Sequence, residues 1–233
     1  MRQISRSFVF AISFLVFAPP AASEPDFNGI WMIAGRATER ELAMTADGKR
    51  IQDEYDLLKD DPSLECVPAS LSRVWANPNV AIGIEQGKGS ILISYEFYDL
   101  RRDIPLGDVD VMPVRPSTRN LHGDYFKEMG SSVARYERDR LIIETRNHGP
   151  GYIRTSRGIP QSKNSVATEI FWLDGDTLKM TLTYVDDTIF EIPFVIDHEF
   201  RRLEDTAVSV YDCTDASYGW FEELNAPQKA QPE

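Results

Sequence analysis

The chain has 233 residues, enough for one large domain with a core of its own. Apolar residues make up 42% and charged residues 27%, which excludes a disordered chain, a collagen-like repeat and a cysteine-stapled miniprotein. A formal charge of −12, from 37 acidic against 25 basic side chains, argues against nucleic acid as a partner because phosphate is repelled.

Arg2 and Arg6 precede an apolar run from Phe8 to Ala18, followed by Pro19-Pro20 and the small residues Ala21-Ala22-Ser23. This order reads as a secretory signal peptide over 1–23. The run is too short for a membrane span, which needs about 20 residues, and no later stretch reaches that length. The expectation is one domain over 24–233, periplasmic or secreted, with no stable membrane insertion. The two cysteines, Cys66 and Cys213, form an even pair in an exported chain and are expected to form a disulfide. Closing so large a loop is worth ~3–5 kcal/mol in the chain-entropy model.

The first strand is expected at Phe27–Ile33. Residues 45–59 read as one helix, with Thr45 as cap, Ile51, Tyr55 and Leu58 on one face, and Asp61-Pro62 as the stop. Pro62 to Pro78 reads as loop with one helical turn near Ser70–Trp75. Alternation then takes over. Val80, Ile82 and Ile84 lead through Gly87-Lys88-Gly89 into Ile91, Ile93, Tyr95 and Phe97. Residues 103–130, with Pro105, Pro113 and Pro116, read as a long loop and possible lid. A second hairpin turns at Arg138-Asp139, and a third, 165–173 and 176–185, at Asp174-Gly175 in a type I′ geometry. The last strand is expected over 188–202, with Phe190, Ile192, Phe194, Ile196, His198 and Phe200 on one face. About eight strands in sequential hairpins stack as a sandwich or close into a barrel, which removes exposed edges.

Asn28-Gly29-Ile30-Trp31 places Gly-x-Trp at the start of the first strand, and Arg201-Arg202 end the last. This resembles lipocalin-like barrels, which implies that Trp31 plugs the closed end and that Arg201 or Arg202 stacks on its indole. Five further segments (Asp26–Trp31, Thr45–Gly48, Asp61–Pro68, Glu96–Arg102 and Tyr136–Thr145) are similar to a large group of uncharacterised secreted bacterial proteins opening with D-x-x-G-x-W. That group often carries His before the second and third hairpins, where this chain has Gly130-Ser131-Ser132 and Ser165–Ile170. The first resemblance implies a lipocalin-like barrel and the second a secreted β-rich fold; with the pattern above, the expectation is an all-β, antiparallel lipocalin-like barrel with one short N-terminal helix and a long mouth loop.

Register gives the sharpest functional inference. A two-residue Asp174-Gly175 loop sets Phe171 opposite Leu178 and Glu169 opposite Met180, so Glu169 shares the apolar face. A carboxylate there is costly unless paired and is a candidate acid/base or ligand contact; the alternative is a structural ion pair with an arginine. His198 shares the apolar face of the last strand, Arg101 is placed to hold an anion at the barrel mouth, and Tyr95 and Tyr184 supply hydroxyls. His122, His148 and His198 lack zinc-ligand spacing, and no phosphate loop, nucleophile elbow or calcium loop is present, so no metal or cofactor is expected. The reading is an exported binder of a small, largely apolar or aromatic molecule, with Tyr95, Arg101, Glu169, Tyr184 and His198 as contacts. The alternatives are a cofactor-independent lyase, isomerase or hydrolase using Glu169 with Tyr184 or His198, and an interaction module working through its acidic surface.

Overall fold

The computed structural model describes residues 24–213; the expected signal peptide at 1–23 lies outside the described residues, as do 214–233. The strands are β1 (Gly29–Ile33), β2 (Thr38–Glu39), β3 (Ile82–Gln86), β4 (Ser90–Tyr95), β5 (Leu100–Pro105), β6 (Thr118–Arg119), β7 (Ser131–Glu137), β8 (Arg140–Arg146), β9 (Gly151–Arg154), β10 (Ile159–Gln161), β11 (Val166–Asp174), β12 (Thr177–Val185) and β13 (Phe194–Leu203). The helices are α1 (Ala46–Asp53), α2 (Leu57–Asp60) and α3 (Leu71–Trp75), all between β2 and β3.

One antiparallel sheet runs β6-β5-β4-β3-β1-β13-β12-β11-β8-β7, with β2 added on β13, while β9 and β10 form a separate hairpin. First and last long strands therefore pair, Trp31 lying opposite Arg202 and Ile33 opposite Phe200. The two ends of this order meet. Leu106 bridges Ala134, the Gly107 N–H donates to the Ala134 carbonyl at 2.9 Å, and the Ser117 N–H donates to the Gly130 carbonyl at 2.9 Å. The sheet thereby wraps into an antiparallel, lipocalin-like barrel, closed along a seam between β5 and β7 that has far fewer backbone bonds than a regular ladder. The expectation of about eight strands missed the two-residue β2 and β6 and the β9–β10 hairpin, all too short to show a period, and also β5, which opens after the reversal at Tyr98-Asp99 and runs into the stretch expected as the 103–130 loop.

Alternation puts Trp31, Ile84, Ile93, Ile104, Ile143, Phe171, Met180 and Phe200 inside, all buried. The tight turns at 87–89, 138–139 and 175–176 lie at one end, where Trp31 is buried beneath Arg202, whose guanidinium carbon sits 4.2 Å from the ring centroid. Of the two candidate arginines, Arg202 is thus the partner; Arg201 instead contacts the Met32 sulfur at 3.2 Å. The opposite end is capped by the three helices and by β9–β10.

The cap departs from the single expected helix. The Thr45 hydroxyl does cap α1, accepting from the Gly48 N–H at 3.0 Å, but α1 ends at Asp53. Tyr55 then packs on Tyr152 at 4.4 Å between ring centroids, and Asp56 restarts the chain as the cap of α2. The last strand starts at Phe194, not at 188. Asp186 fixes a turn there: its carboxylate accepts from Ser162, Ser165 and Thr188 hydroxyls at 2.7, 2.5 and 2.6 Å. Burial pulls its pKa up, but these donors outweigh it and hold the carboxyl below the usual range. Pro193 precedes the strand proper.

The third hairpin also corrects the expected register. Asp174 pairs with Thr177, so the two-residue loop is Gly175-Asp176 and Glu169 lies opposite Leu182. The left-handed φ of +60° falls on Gly175, the first loop residue, and not on Asp176, which rules out the type I′ pair. The shift is by two residues, so every side chain keeps its face.

Cys66 and Cys213 are joined as a disulfide spanning 147 residues. The tail reaching Cys213 is pinned further by Asp99, whose carboxylate accepts the Tyr211 and Asp212 N–H groups at 2.7 and 3.0 Å.

Candidate functional site

Glu169 lies inside the barrel, fully buried, three residues from the capped end of β11. Its partner is Arg102, which alternation places on the inner face of β5 with Leu100 and Ile104. The guanidinium donates to both carboxylate oxygens, Nη1 to Oε1 at 2.9 Å and Nη2 to Oε2 at 2.6 Å. Its remaining donors go to the Ser132 hydroxyl (3.0 Å), the Thr145 hydroxyl (2.8 Å) and, more weakly, the Tyr95 hydroxyl (3.4 Å). From the cap, Ser70 starts α3 by accepting the Arg73 N–H, and this short helix lowers Trp75 into the barrel. There the indole N–H donates to Glu169 Oε1 at 2.5 Å, and the ring packs edge-on to Tyr95 and Phe200 and tilted against Phe171.

This cluster crosses the seam. Arg102 stands on one side of the closure, and Ser132 of β7, Thr145 of β8 and Glu169 of β11 on the other, so side-chain bonds span the join that the backbone leaves sparse. Burial works against the Arg102 charge, but the adjacent Glu169 carboxylate outweighs it and holds the guanidinium above even its ordinary pKa. Burial pushes the Tyr95 and Tyr184 phenols up as well, so both stay protonated.

The other expected contacts are scattered. Tyr184 is spent on the cap, its hydroxyl oxygen accepting the Ser72 N–H at 3.1 Å. His198 faces inward opposite Met180 and stacks on Phe200, with both ring nitrogens unbonded among the described residues. Burial first, and the positive charge of Arg154 second, press its pKa down to about 3, so the ring is neutral. Arg101 points to the outer face and, among the described residues, its side chain donates only to its own strand at Leu100, so the arginine inside is the next residue. The reason is local: Tyr98 and Asp99 take φ of 61° and 55°, so β4 and β5 are separate strands and the count restarts at Leu100.

None of the four main clefts among the described residues is lined by Glu169, Arg102, Tyr95, Tyr184 or His198. The largest, about 890 Å³, opens at the capped end between the end of β1, the residues after α3, and the 154–157 turn. Its walls are Met32, Ile33, Ala34, Ala37, Ala76 and Pro78 on the apolar side. Arg36, Arg154, Arg157 and Arg201 supply charge, with Glu39 the one carboxylate lining it among the described residues. This cleft, and the residues Arg102, Trp75, Ser132 and Thr145 that complete the interior cluster, are what the sequence reading missed. Among the described residues no group of three or more His, Cys, Asp or Glu is placed to hold a metal ion, and no helix is long and apolar enough to cross a membrane.

No protein-family model matches the sequence, and no curated protein does. Among solved structures, a single-site variant of the fluorescent protein UnaG superposes with a TM-score of 0.38 at 15% identity, covering 77% of this chain and 97% of that one. Apo Caenorhabditis elegans lipid binding protein 8 gives 0.35 at 9%, covering 76% and 95%. At these scores the likeness assigns nothing to this chain, whose barrel rests on its own strand order.

Proposed function

We propose that this is an exported protein, folded as one domain from residue 24, that binds a small molecule with an apolar or aromatic part in the cleft at the capped end of the barrel. One observation carries the reading: every expected polar contact inside the barrel lies away from the main clefts, while an open cleft of about 890 Å³ offers both apolar wall and free donors. Tyr95, Glu169 and Tyr184 hold the barrel and its cap together, and the ligand lies outside them. The Cys66–Cys213 bond fits an oxidising compartment, as the signal-like residues 1–23 require.

The same geometry weighs against Glu169 as a general acid or base. Its oxygens already accept from Arg102 and Trp75, and none of the four main clefts among the described residues brings a substrate proton within reach. Native mass spectrometry of the protein purified from its own source tests the reading. A small-molecule adduct is expected on the wild type and on Glu169→Gln, and is expected to disappear in Ala34→Trp, which fills the cleft from an exposed position. An adduct that survives Ala34→Trp but is lost with Glu169→Gln contradicts it and returns the ligand to the interior.

A further inference from the structure

Resting on that reading of the cleft, we propose that its ligand is a small organic anion: a compact apolar or aromatic body carrying one oxyanion group, a carboxylate, sulfonate or phosphate, held by Arg36 and Arg201 with help from Arg154 and Arg157.

Among the described residues, four guanidiniums line the cleft against the single carboxylate of Glu39. Glu39 is forked between two of them, Arg154 Nε at 2.7 Å from Oε1 and Arg157 Nη1 on Oε2. A guanidinium carries five donors, so this fork leaves most N–H groups of both arginines uncommitted. Arg36 makes no ion pair among the described residues, and Arg201 finds only the sulfur of Met32, a weak acceptor. The carboxylates nearest the rim are already engaged. Asp197 is held by Arg40 (2.8 Å) and by the Thr181 hydroxyl (2.7 Å), and Glu199 by Lys179 (2.7 Å). Excess positive charge thus gathers in one concave place on a chain whose formal charge is −12.

Burial makes that charge matter. The side chains of Arg154 and Glu39 are only 20% and 18% exposed, so the floor of the cleft is partly shielded from water. The field of Arg154 extends inward as far as His198, where it helps to keep the ring neutral. Ser156 and Asn79 add neutral polar groups at the rim, and Met32, Ile33, Ala37 and Pro78 form a wall for the apolar body. A purely apolar ligand would bury these guanidiniums without a partner; an oxyanion satisfies them with charge-assisted bonds.

The test uses two dyes of nearly the same shape, anilinonaphthalene sulfonate and the uncharged N-phenylnaphthylamine, titrated by fluorescence into the disulfide-bonded mature chain. The sulfonate is expected to bind with one-to-one saturation and at least about tenfold more tightly than the neutral dye, the difference shrinking as salt is raised. In the double variant Arg36→Gln/Arg201→Gln, both positions exposed, sulfonate affinity is expected to fall at least about tenfold with neutral-dye affinity and melting temperature unchanged. Lys88→Gln, in the turn at the opposite end, removes one positive charge as a control and is expected to change neither. Equal affinity for the two dyes, no saturable sulfonate binding, or an unaltered sulfonate affinity in the double variant overturns the proposal. Ala34→Trp separates the two failures. If it abolishes binding of both dyes while the double variant does nothing, the site stands and its anion preference falls; if it leaves both dyes bound, the site itself falls.

Discussion

Removing Arg102 or Glu169 alone is the perturbation on which the account of the barrel interior makes its largest demand. Both side chains are wholly buried, and each is the other's main counter-charge. Arg102→Met leaves a buried carboxylate with only the Trp75 indole as donor, and Glu169→Gln leaves a buried guanidinium with neutral acceptors only. Breaking one side of a buried pair costs about 3–5 kcal/mol. With a urea dependence of roughly 2 kcal/mol per molar, the unfolding midpoint should fall by about 2 M. Removing both charges together behaves differently. In Arg102→Met/Glu169→Leu no charge is stranded, Ser132 and Thr145 keep their mutual bond at 3.0 Å, and the chief orphan is the Trp75 N–H, at about 1–3 kcal/mol. The double variant should therefore be more stable than Arg102→Met alone. Urea unfolding followed by tryptophan fluorescence, with the disulfide intact, measures all three. Single variants within 1 kcal/mol of the wild type, or a double variant losing the full sum of the two, would refute the cross-seam tie.

Three further outcomes follow from particular contacts. Gly48→Ala, stabilising by about 1 kcal/mol in an ordinary exposed helix, should destabilise here, since a Cβ would collide with the Ile189 carbonyl oxygen; a raised melting temperature contradicts the packing of α1 on that turn. His198 is neutral in the fold, with a pKa of about 3 against 6.5 unfolded, so the unfolded state takes up its proton first and stability falls as the pH drops from about 6.5 towards 3. His198→Met should flatten that limb by about 1.4 kcal/mol per pH unit, read from urea midpoints between pH 6 and 4; an unchanged slope refutes it. Reduction of Cys66–Cys213 should cost ~3–5 kcal/mol and release the tail after β13 to proteolysis at sites near 204–213, and equal protease resistance in both redox states counts against the clamp.

Parity explains most of what could be read from the sequence. Placing the loop of the third hairpin one residue early shifts the cross-strand pairing by two, which cannot turn a side chain over, so Glu169 stays inside in either register. The same rule applied from Leu100 onward, pairing Leu100, Arg102 and Ile104 against Arg101, Asp103 and Pro105, would have chosen Arg102. What hid it was a chain reversal built by Tyr98 and Asp99 at positive φ, with no Gly or Pro to mark it. Trp75 comes from a five-residue helix, too short to show a period, and its position depends on a cap and a barrel wall far away in sequence. The arginine cleft draws on β1, the turn after α3, the β9–β10 turn and β13. No local pattern joins four segments so far apart, and only the topology does.

The indole N–H of Trp75 offers the most direct test, because it lies in the sealed interior, bonded to Glu169. Followed by proton NMR in heavy water, with and without saturating anilinonaphthalene sulfonate, its signal is expected to exchange only by global unfolding and to keep its chemical shift when the dye is bound. Rapid exchange in the free protein, or a large shift on adding the dye, would mean that the barrel opens and that ligands go where Glu169 and Arg102 now meet.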